Sequence, residues 1–249
     1  MVDYESHSLL EQYLLFHYGT EKEILPYEFG PKEALHFPQR CVKWCKNFLT
    51  HKTRALDLGC AVGGATFELA KTFQEVIGID YSNQFIAAAM ELQRLGELSY
   101  TFRIEGDITQ SSIAKIEPTI NRKRIFFQQG DASRLDIKLG KFDLVLMLNL
   151  IDRLKQPEEG LRNLLPFIEA QGLLVIASPY TWLETITPKN HWLGGYYQEN
   201  QSVFTSEALF KLLEGSFELL KRDQLPFLIR EHARKFQWNV SEVTLWKRK

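Results

Sequence analysis

The sequence contains little cysteine, and its three residues (Cys41, Cys45 and Cys60) are too few and too odd in number for a disulfide framework. Cys41 and Cys45 lie four positions apart on a predicted helix, but a zinc site built on them would need a second pair of ligands nearby. Packing in the core is the favoured role for these thiols, and no metal site is predicted. Because the amino terminus also lacks a signal-peptide pattern, we expect a reducing, cytoplasmic setting.

The chain also lacks long apolar runs and an excess of either charge. Its longest apolar stretches, residues 144–148 and 172–177, are too short to span a bilayer. Lys+Arg 30 against Asp+Glu 31 leave a formal charge of −1, so nothing draws the chain to nucleic acid or to anionic lipid. Without repeats or linkers, 249 residues of ordinary globular composition predict a single domain over 1–249 that acts on a small-molecule substrate.

The stretch ALDLGCAVGG, residues 55–64, lacks the G-x-G-x-x-G pattern of dinucleotide sites but has glycines of its own. A predicted strand ends in Asp57, then Gly59, Gly63 and Gly64 follow, and a helix-forming run comes next. Such a turn from strand to helix lets the backbone approach a ligand closely. The spacing D-x-G-x-x-x-G resembles the S-adenosylmethionine loop of class I methyltransferases, and that resemblance implies this cofactor.

Further polar residues follow predicted strands in the order that a nucleotide site requires. Asp80 ends the second strand, 21 positions after Gly59, where a carboxylate reaches both ribose hydroxyls; a plain helix cap is the alternative. Asp131 follows the third strand and is predicted to accept from an adenine amino group. Asn149 follows the fourth, at the edge where open α/β sheets bind ligands. The predicted cofactor-binding residues are Asp57, Gly59, Cys60, Ala61, Gly63, Asp80, Tyr81, Asp131, Ala132, Asn149 and Arg40.

Short apolar strands alternate with helical patterns and predict an α/β fold. The methyltransferase resemblance implies a Rossmann-like sheet of seven mostly parallel strands with helices on both faces. Three segments fall outside it: an N-terminal helical cap over 1–50, an insertion over 97–123 with one extra half-buried strand, and an aromatic insertion over 179–204. The last is predicted to be a lid over the acceptor, with a purely structural flap as the alternative.

The first helix of the cap carries a capping-box pattern in Ser8 and Glu11. Near its end, Phe16, His17 and Tyr18 either pack as part of a lid or face the ligand. The pattern alone favours packing.

Proline marks two other predicted boundaries. Pro38 opens a helix over 39–49, and Arg40 near its start either meets an anionic group or lies at the surface. Pro226 follows a predicted strand over 217–225, and a last strand comes after the charged stretch beyond it.

Five blocks of sequence together resemble the 4-mercaptohistidine N1-methyltransferase family of ovothiol biosynthesis. They are YLLFHYG at 13–19, FGPKEALHFPQRC at 29–41, RALDLGCAVGGATFELA at 54–70, SPYTWLE at 178–184 and PFLIREHARKFQW at 226–238. The resemblance runs from about Tyr4 to the end. In many organisms this domain is fused to a 5-histidylcysteine sulfoxide synthase. The synthase portion is missing from this sequence, so the resemblance implies a free-standing methyltransferase that works with a separate synthase. Ala61 replaces a glycine common in such loops, which is tolerable if its backbone dihedrals are ordinary.

The family implies methylation of the imidazole π nitrogen of 5-thiohistidine (4-mercaptohistidine), with S-adenosylhomocysteine as the other product. For catalysis it implies Asn149, His232 and Tyr18. For substrate binding it implies Phe16, His17, Asp152, Tyr180, Trp182, His191, Arg230, Glu231 and Lys235, each of which has packing or a structural ion pair as its alternative. Two other functions stay open: methylation of another small amine, carboxylate or thiol, and a non-catalytic S-adenosylmethionine-binding protein.

Overall fold

The computed structural model describes residues 5–249, and Tyr4, where the family resemblance begins, lies outside them. The helices are α1 (His7–Tyr18), α2 (Glu21–Ile24), α3 (Phe37–Cys45), α4 (Gly64–Leu69), α5 (Asn83–Leu95), α6 (Pro157–Leu164) and α7 (Thr205–Leu213). The strands are β1 (Arg54–Leu58), β2 (Glu75–Asp80), β3 (Glu97–Glu105), β4 (Ile108–Lys115), β5 (Ile125–Gln129), β6 (Phe142–Leu148), β7 (Ile168–Ser178), β8 (Tyr196–Gln198), β9 (Gln201–Val203), β10 (Phe217–His232) and β11 (Lys235–Arg248). No helix in the described range is long and apolar enough to cross a membrane.

Seven of these strands form one sheet, in the order β10-β11-β7-β6-β1-β2-β5. The strands β5, β2, β1, β6 and β7 are parallel, whereas β11 is antiparallel to both of its neighbours. At the centre, Ala55 of β1 pairs with Val76 on one side and with Leu144 on the other. The prediction of a Rossmann-like sheet of seven mostly parallel strands is confirmed.

The continuous apolar run of β6 explains how the sheet is buried on both faces. Each residue from Leu144 to Met147 is at most 1% exposed. Because strand side chains alternate, Leu144 and Leu146 enter the core that includes parts of α1 and α3, whereas Val145 and Met147 enter the core under α6 and α7. The N-terminal helices therefore pack on one face of the sheet.

Near the amino terminus, the predicted capping box is in the wrong place. The first helix starts at His7, so Ser8 lies in its first turn and does not cap it with Glu11. The same pattern does cap α2, where Thr20 Oγ1 accepts from the backbone N–H of Glu23 and Glu23 Oε2 accepts from that of Thr20. The predicted capping box of Ser8 and Glu11 is therefore wrong, and the capping box that the structure contains belongs to α2.

Both boundaries predicted from proline also differ from the structure. Pro38 occupies the first turn of α3, which begins at Phe37, and a 3-10 turn over Lys46–Phe48 replaces the predicted last turn. Pro226 does not separate two strands, because β10 continues through it opposite Val240. An edge strand tolerates proline because one of its sides needs no backbone donor.

Two antiparallel hairpins extend the fold around the carboxyl ends of the parallel strands. The insertion over 97–123 contains the pair β3–β4 rather than the single extra strand predicted. The strand β11 pairs with β7 only from Glu242 onward, opposite Ser178, so residues 235–241 project past the end of β7. The first helix and β3 bond to this projecting hairpin through Gln12 and Ile104. The N-terminal helices and these two hairpins thus cover this edge of the sheet.

Candidate functional site

The glycine loop, residues 59–64, folds tightly over the end of β2. The backbone N–H groups of Gly59 and Cys60 both donate to the carbonyl of Ile79, at 2.8 and 3.0 Å. Gly63 has a φ of 87°, and a Cβ there would lie 2.7 Å from the ring of Phe127. Glycine is therefore required at this position both for its backbone conformation and for the close approach of the ring.

The condition under which Ala61 would easily replace a glycine is not met, since its φ is 48°, in the left-handed region. Its N–H donates to Asp80 Oδ2 at 2.8 Å, while Asp80 Oδ1 accepts from the N–H of Ser82 at 2.9 Å. Burial raises the pKa of Asp80, and the backbone donors oppose that rise. The structure thus brings Asp80 against the loop, whereas the side chain of Tyr81 points to solvent and is 70% exposed.

The side chain of Asp57 is buried beneath the glycine loop and does not line the solvent-facing side of the loop. It is 2% exposed, and its Oδ2 accepts from Thr66 Oγ1 at 2.6 Å. Burial raises the pKa of Asp57 to about 7, with the charge of Asp80 adding to the rise and the hydroxyl of Thr66 opposing it. This carboxyl group joins the end of β1 to the first turn of α4.

Asp131 and Ala132 follow β5, the strand beside β2. Asp131 is exposed and accepts from the N–H and the hydroxyl of Ser133, at 2.9 and 2.6 Å. These bonds outweigh the effect of partial burial and hold the pKa of Asp131 below its ordinary value. An ionised, solvent-exposed carboxylate therefore lies just beyond β5, the strand beside β2.

The ends of β6 and β7 carry two more residues with left-handed backbones, Asn149 and Tyr180, both with a φ of 53°. Asn149 Oδ1 accepts from Ser241 Oγ at 2.7 Å, and the hydroxyl of Tyr180 donates to Glu242 at 2.6 Å. Strained backbone of this kind is costly and is concentrated at functional sites in proteins. Together with Ala61, these residues place strain at the end of three adjacent strands of the sheet.

Asp152 lies just beyond Asn149 and is fully buried. Its Oδ2 accepts from the N–H of Thr181 at 2.9 Å and lies 3.1 Å from the guanidinium of Arg153. Its Oδ1 has no hydrogen-bond partner within the described residues. Burial raises the pKa of Asp152, and Arg153 opposes the rise. The Asp152 carboxyl group thus lies buried at the ends of β6 and β7, with Arg153, Thr181 and Ser178 around it.

The end of α1 lies against the glycine loop. His17 Nδ1 accepts from the N–H of Gly64 at 3.0 Å, and the hydroxyl of Tyr18 donates to the carbonyl of Val62 at 2.6 Å. Phe16 is directed elsewhere, toward Phe227 of β10. Of these three predicted site residues, two therefore contact the loop itself.

The predicted arginines are bound by backbone carbonyls. Arg40 donates to the carbonyls of Leu35 and Pro226. Arg230 is 5% exposed, donates to the carbonyl of Glu23 and lies 5.0 Å above the ring of Phe102, while its Nε has no partner among residues 5–249. Both guanidinium groups thus join the N-terminal segment to the hairpins that cover the sheet edge.

Other predicted acceptor residues lie further out. Glu231 and Lys235 pair with each other at 2.8 Å near the hairpin turn, and His232 Nδ1 accepts from the N–H of Arg234. Lys235 lies seven positions before Glu242, where β11 meets the end of β7. The structure therefore does not bring these three side chains to the ends of the parallel strands.

The aromatic insertion over 179–204 packs mainly on α7. Trp182 Nε1 donates to Thr205 Oγ1 at 3.0 Å, and the ring of Trp182 stacks on that of Trp192. His191 lines an open groove of about 920 Å³ between α6, α7 and the β8–β9 hairpin, away from the glycine loop. Tyr180 is the member of the insertion that stays at the sheet edge.

Comparisons with known proteins agree with this geometry. Residues 56–174, from β1 to β7, match the family model described as a methyltransferase domain. The fold resembles magnesium protoporphyrin IX methyltransferase from Synechocystis PCC 6803 with bound S-adenosylhomocysteine, with a TM-score of 0.59 and 15% identity over 99% of this chain and 96% of that one. Residues 56–174 thus match a methyltransferase domain, and the whole chain has the fold of this S-adenosylhomocysteine-bound methyltransferase.

The fold also resembles that of the N-methyltransferase NodS from Bradyrhizobium japonicum WM9, solved with S-adenosylhomocysteine, with a TM-score of 0.56 and 15% identity over 98% of each chain. A methyltransferase from Methanosarcina mazei gives a TM-score of 0.56 and 18% identity over 82% of this chain and 96% of that one. At identities this low, the likeness to these structures shows a shared fold. A sequence search of curated proteins finds no match.

Among the contacts of the site that were not predicted from the sequence, three show why. They are Thr66 with Asp57, the carbonyl of Val62 with Tyr18, and Ser241 with Asn149. The last two pairs are 44 and 92 positions apart, so no local pattern marks them. Thr66 alone had a signal, because a hydroxyl in the first turn of a helix faces back toward the preceding strand.

Proposed function

We propose that this methyltransferase transfers a methyl group from S-adenosylmethionine to the imidazole π nitrogen of 5-thiohistidine, in ovothiol biosynthesis. One observation carries the proposal: three of the sequence blocks behind the family resemblance pack together in the folded chain, and the first of them also contacts the glycine loop. Phe37 and Phe16, from two N-terminal blocks, both pack on Phe227 of the last block, with ring centroids 5.0 and 6.2 Å apart. Arg40 bonds to Pro226, which lies 186 positions away. Blocks that assemble beside the glycine loop are suited to forming one acceptor site.

In this function, residues at the ends of β1, β2 and β5, which follow one another in the sheet, would hold the adenosine part of the cofactor. Asp80 binds the ribose hydroxyls, since each of its oxygens has one backbone donor and keeps further acceptor capacity. Asp131 and the backbone of Ala132 bind the adenine. The glycine loop, including Gly59, approaches the methionine part.

The acceptor then lies at the ends of β6 and β7, beside Asn149 and Tyr180. Asp152 supports this placement, because its carboxyl group lies buried at the ends of these two strands, where it accepts an N–H of the substrate ammonium or ring. Arg230 lies on the projecting part of the β10–β11 hairpin, opposite Phe236, so its guanidinium group is not assigned to the substrate carboxylate. A thiohistidine supplied by a separate sulfoxide synthase carries an ammonium group that Asp152 matches.

The chemistry needs orientation more than strong base catalysis. The lone pair of a neutral imidazole nitrogen forms the new N–CH₃ bond as the bond from methyl to sulfonium breaks, and S-adenosylhomocysteine leaves with that electron pair. The methylated ring then releases a proton to solvent. Since the thiolate on the same ring is a softer competing nucleophile, the site must hold sulfur away from the methyl group, and positioning accounts for the selectivity.

Incubation with ¹³C-methyl-labelled S-adenosylmethionine and 5-thiohistidine tests the function, with the methylated atom located by NMR. We expect a single product with methyl on the π nitrogen and slower or no turnover of histidine. Methyl on sulfur or on the other nitrogen would overturn the regiochemistry, and turnover only with another small acceptor would overturn the substrate. Calorimetric binding of the cofactor without turnover would indicate a non-catalytic binding protein, whereas no binding would reject the whole proposal.

A further inference from the structure

The end of α1 holds the glycine loop through two side chains, although α1 lies outside the residues that match the methyltransferase model. His17 Nδ1 accepts from the N–H of Gly64 at 3.0 Å, and Tyr18 donates to the carbonyl of Val62 at 2.6 Å. The two contacts fall two residues apart on the loop. An element distant in sequence therefore determines where this part of the backbone points.

The contact between His17 and Gly64 is close and fully desolvated. A Cβ on Gly64 would lie 2.5 Å from Nδ1, so only glycine allows the imidazole to reach the backbone. His17 is 6% exposed, and burial lowers its pKa to about 3, which keeps the imidazole neutral and its lone pair free to accept. Gln39 Nε2 donates to the carbonyl of His17 at 3.0 Å and steadies the helix end.

The other half of the loop is held from below. Gly59 and Cys60 donate to the carbonyl of Ile79, and Ala61 donates to Asp80. The strand β2 therefore fixes residues 59–61, whereas α1 fixes residues 62–64. A loop that is held in both halves before the ligand arrives loses little further freedom when it binds, and this favours affinity.

We propose that His17 and Tyr18 are positioning residues that set the backbone of residues 62–64 for S-adenosylmethionine, which makes α1 a required part of the cofactor site. The identity of the ligand rests on the proposed function. In this role neither side chain touches the reacting atoms, in contrast to the catalytic role of Tyr18 and the substrate-binding role of His17 that the family resemblance implies.

Four single variants of the full chain test this role. His17→Phe keeps a ring but removes the acceptor, His17→Asn keeps an acceptor near the position of Nδ1, and Tyr18→Phe removes only the hydroxyl. Leu14→Ala is the control, because Leu14 is a core residue of the same helix, 2% exposed. Calorimetry gives the dissociation constants of S-adenosylmethionine and S-adenosylhomocysteine. Amide hydrogen exchange of the ligand-free protein reports on the peptide that contains the loop.

We expect His17→Phe and Tyr18→Phe each to weaken binding of both ligands about tenfold, as for the loss of one hydrogen bond, and to speed exchange in the loop. His17→Asn should retain most of the affinity, and Leu14→Ala should lower the thermal midpoint while changing affinity less than about twofold. Unchanged affinity and exchange in His17→Phe, or an equal loss of affinity in Leu14→Ala, would overturn the role. If the wild-type chain binds neither ligand, the proposed function fails, and the exchange comparison alone decides the positioning role.

Discussion

At the scale of single residues, Ala61 and Asp80 show strain and its compensation in one contact. A left-handed backbone costs a non-glycine residue roughly 1–2 kcal/mol. The N–H of Ala61 donates to Asp80 Oδ2 at 2.8 Å, and this bond helps to hold Ala61 in that conformation. One carboxylate therefore shapes the loop and, in the proposed function, also binds the ribose.

Replacing Asp80 by asparagine separates these two roles. In Asp80→Asn one carboxylate oxygen becomes an NH₂ group, so we expect the dissociation constant of S-adenosylmethionine to rise about 10- to 100-fold, because hydrogen bonds to charged groups contribute about 1.5–3 kcal/mol. We also expect a lower thermal midpoint. Adding Ala61→Gly relieves the strain and should recover the midpoint without the affinity. Calorimetry and thermal unfolding measure both quantities, and recovered affinity in the double variant would show that Asp80 acts only on loop shape.

At the scale of elements, the short helix α2 depends on its cap. It spans four residues, and the capping box of Thr20 and Glu23 satisfies backbone donors at its start. Glu23 also accepts from Ser112 of β4 at 2.6 Å, and its carbonyl accepts from Arg230 of β10. The single turn of α2 thus links the N-terminal helices to both the β3–β4 and the β10–β11 hairpins.

Removing that cap should weaken the fold, while the capping pattern one helix earlier should be dispensable. We expect Thr20→Ala to lower the free energy of unfolding by about 1 kcal/mol, because it leaves a backbone donor of α2 without its partner. Ser8→Ala, at an exposed position inside α1, should change it by less than about 0.5 kcal/mol. Urea denaturation of the two variants decides the matter, and equal losses would mean that the cap of α2 contributes nothing specific.

Elements with a local cause could be predicted from the sequence. The apolar runs of β1, β2 and β6 indicated buried parallel strands. Ser82 caps α5 by accepting from the N–H of Phe85, and Gly96 ends that helix; both residue types are local signals of helix ends. The length of β10 could not be predicted in this way. Its continuation through Pro226 depends on a hairpin partner and on its place at the sheet edge.

The candidate site likewise divides into residues that local sequence patterns could place and contacts that depend on distant partners. Asp80 and Asn149 could be placed at the sheet edge from the sequence, because both follow predicted parallel strands. The contact of His17 with Gly64 could not, because a side chain that accepts from a backbone N–H leaves no residue pattern. The left-handed backbone of Ala61 was missed because alanine rarely adopts it.

At the scale of the whole molecule, two buried titratable groups beside the glycine loop respond to pH in opposite directions. The pKa of His17 falls from 6.5 to about 3, mainly by burial, so between these values the unfolded chain binds a proton that the folded protein excludes. Stability from His17 is therefore lost as the pH falls through this range. The pKa of Asp57 rises from 3.8 to about 7, again mainly by burial, so stability from Asp57 is present at low pH and is lost as the pH rises toward 7.

Differences between wild type and variant isolate each group, because contributions from other titrating residues cancel. Urea denaturation of wild type, His17→Asn and Asp57→Asn from pH 4 to 7.5 gives the free energy of unfolding of each. We expect wild type minus His17→Asn to increase with pH up to about 6.5, and wild type minus Asp57→Asn to decrease up to about 7, each with a slope of at most about 1.4 kcal/mol per pH unit. Slopes of the same sign would show that burial beneath α1 and the loop does not hold both the imidazole and the carboxyl group in their uncharged forms.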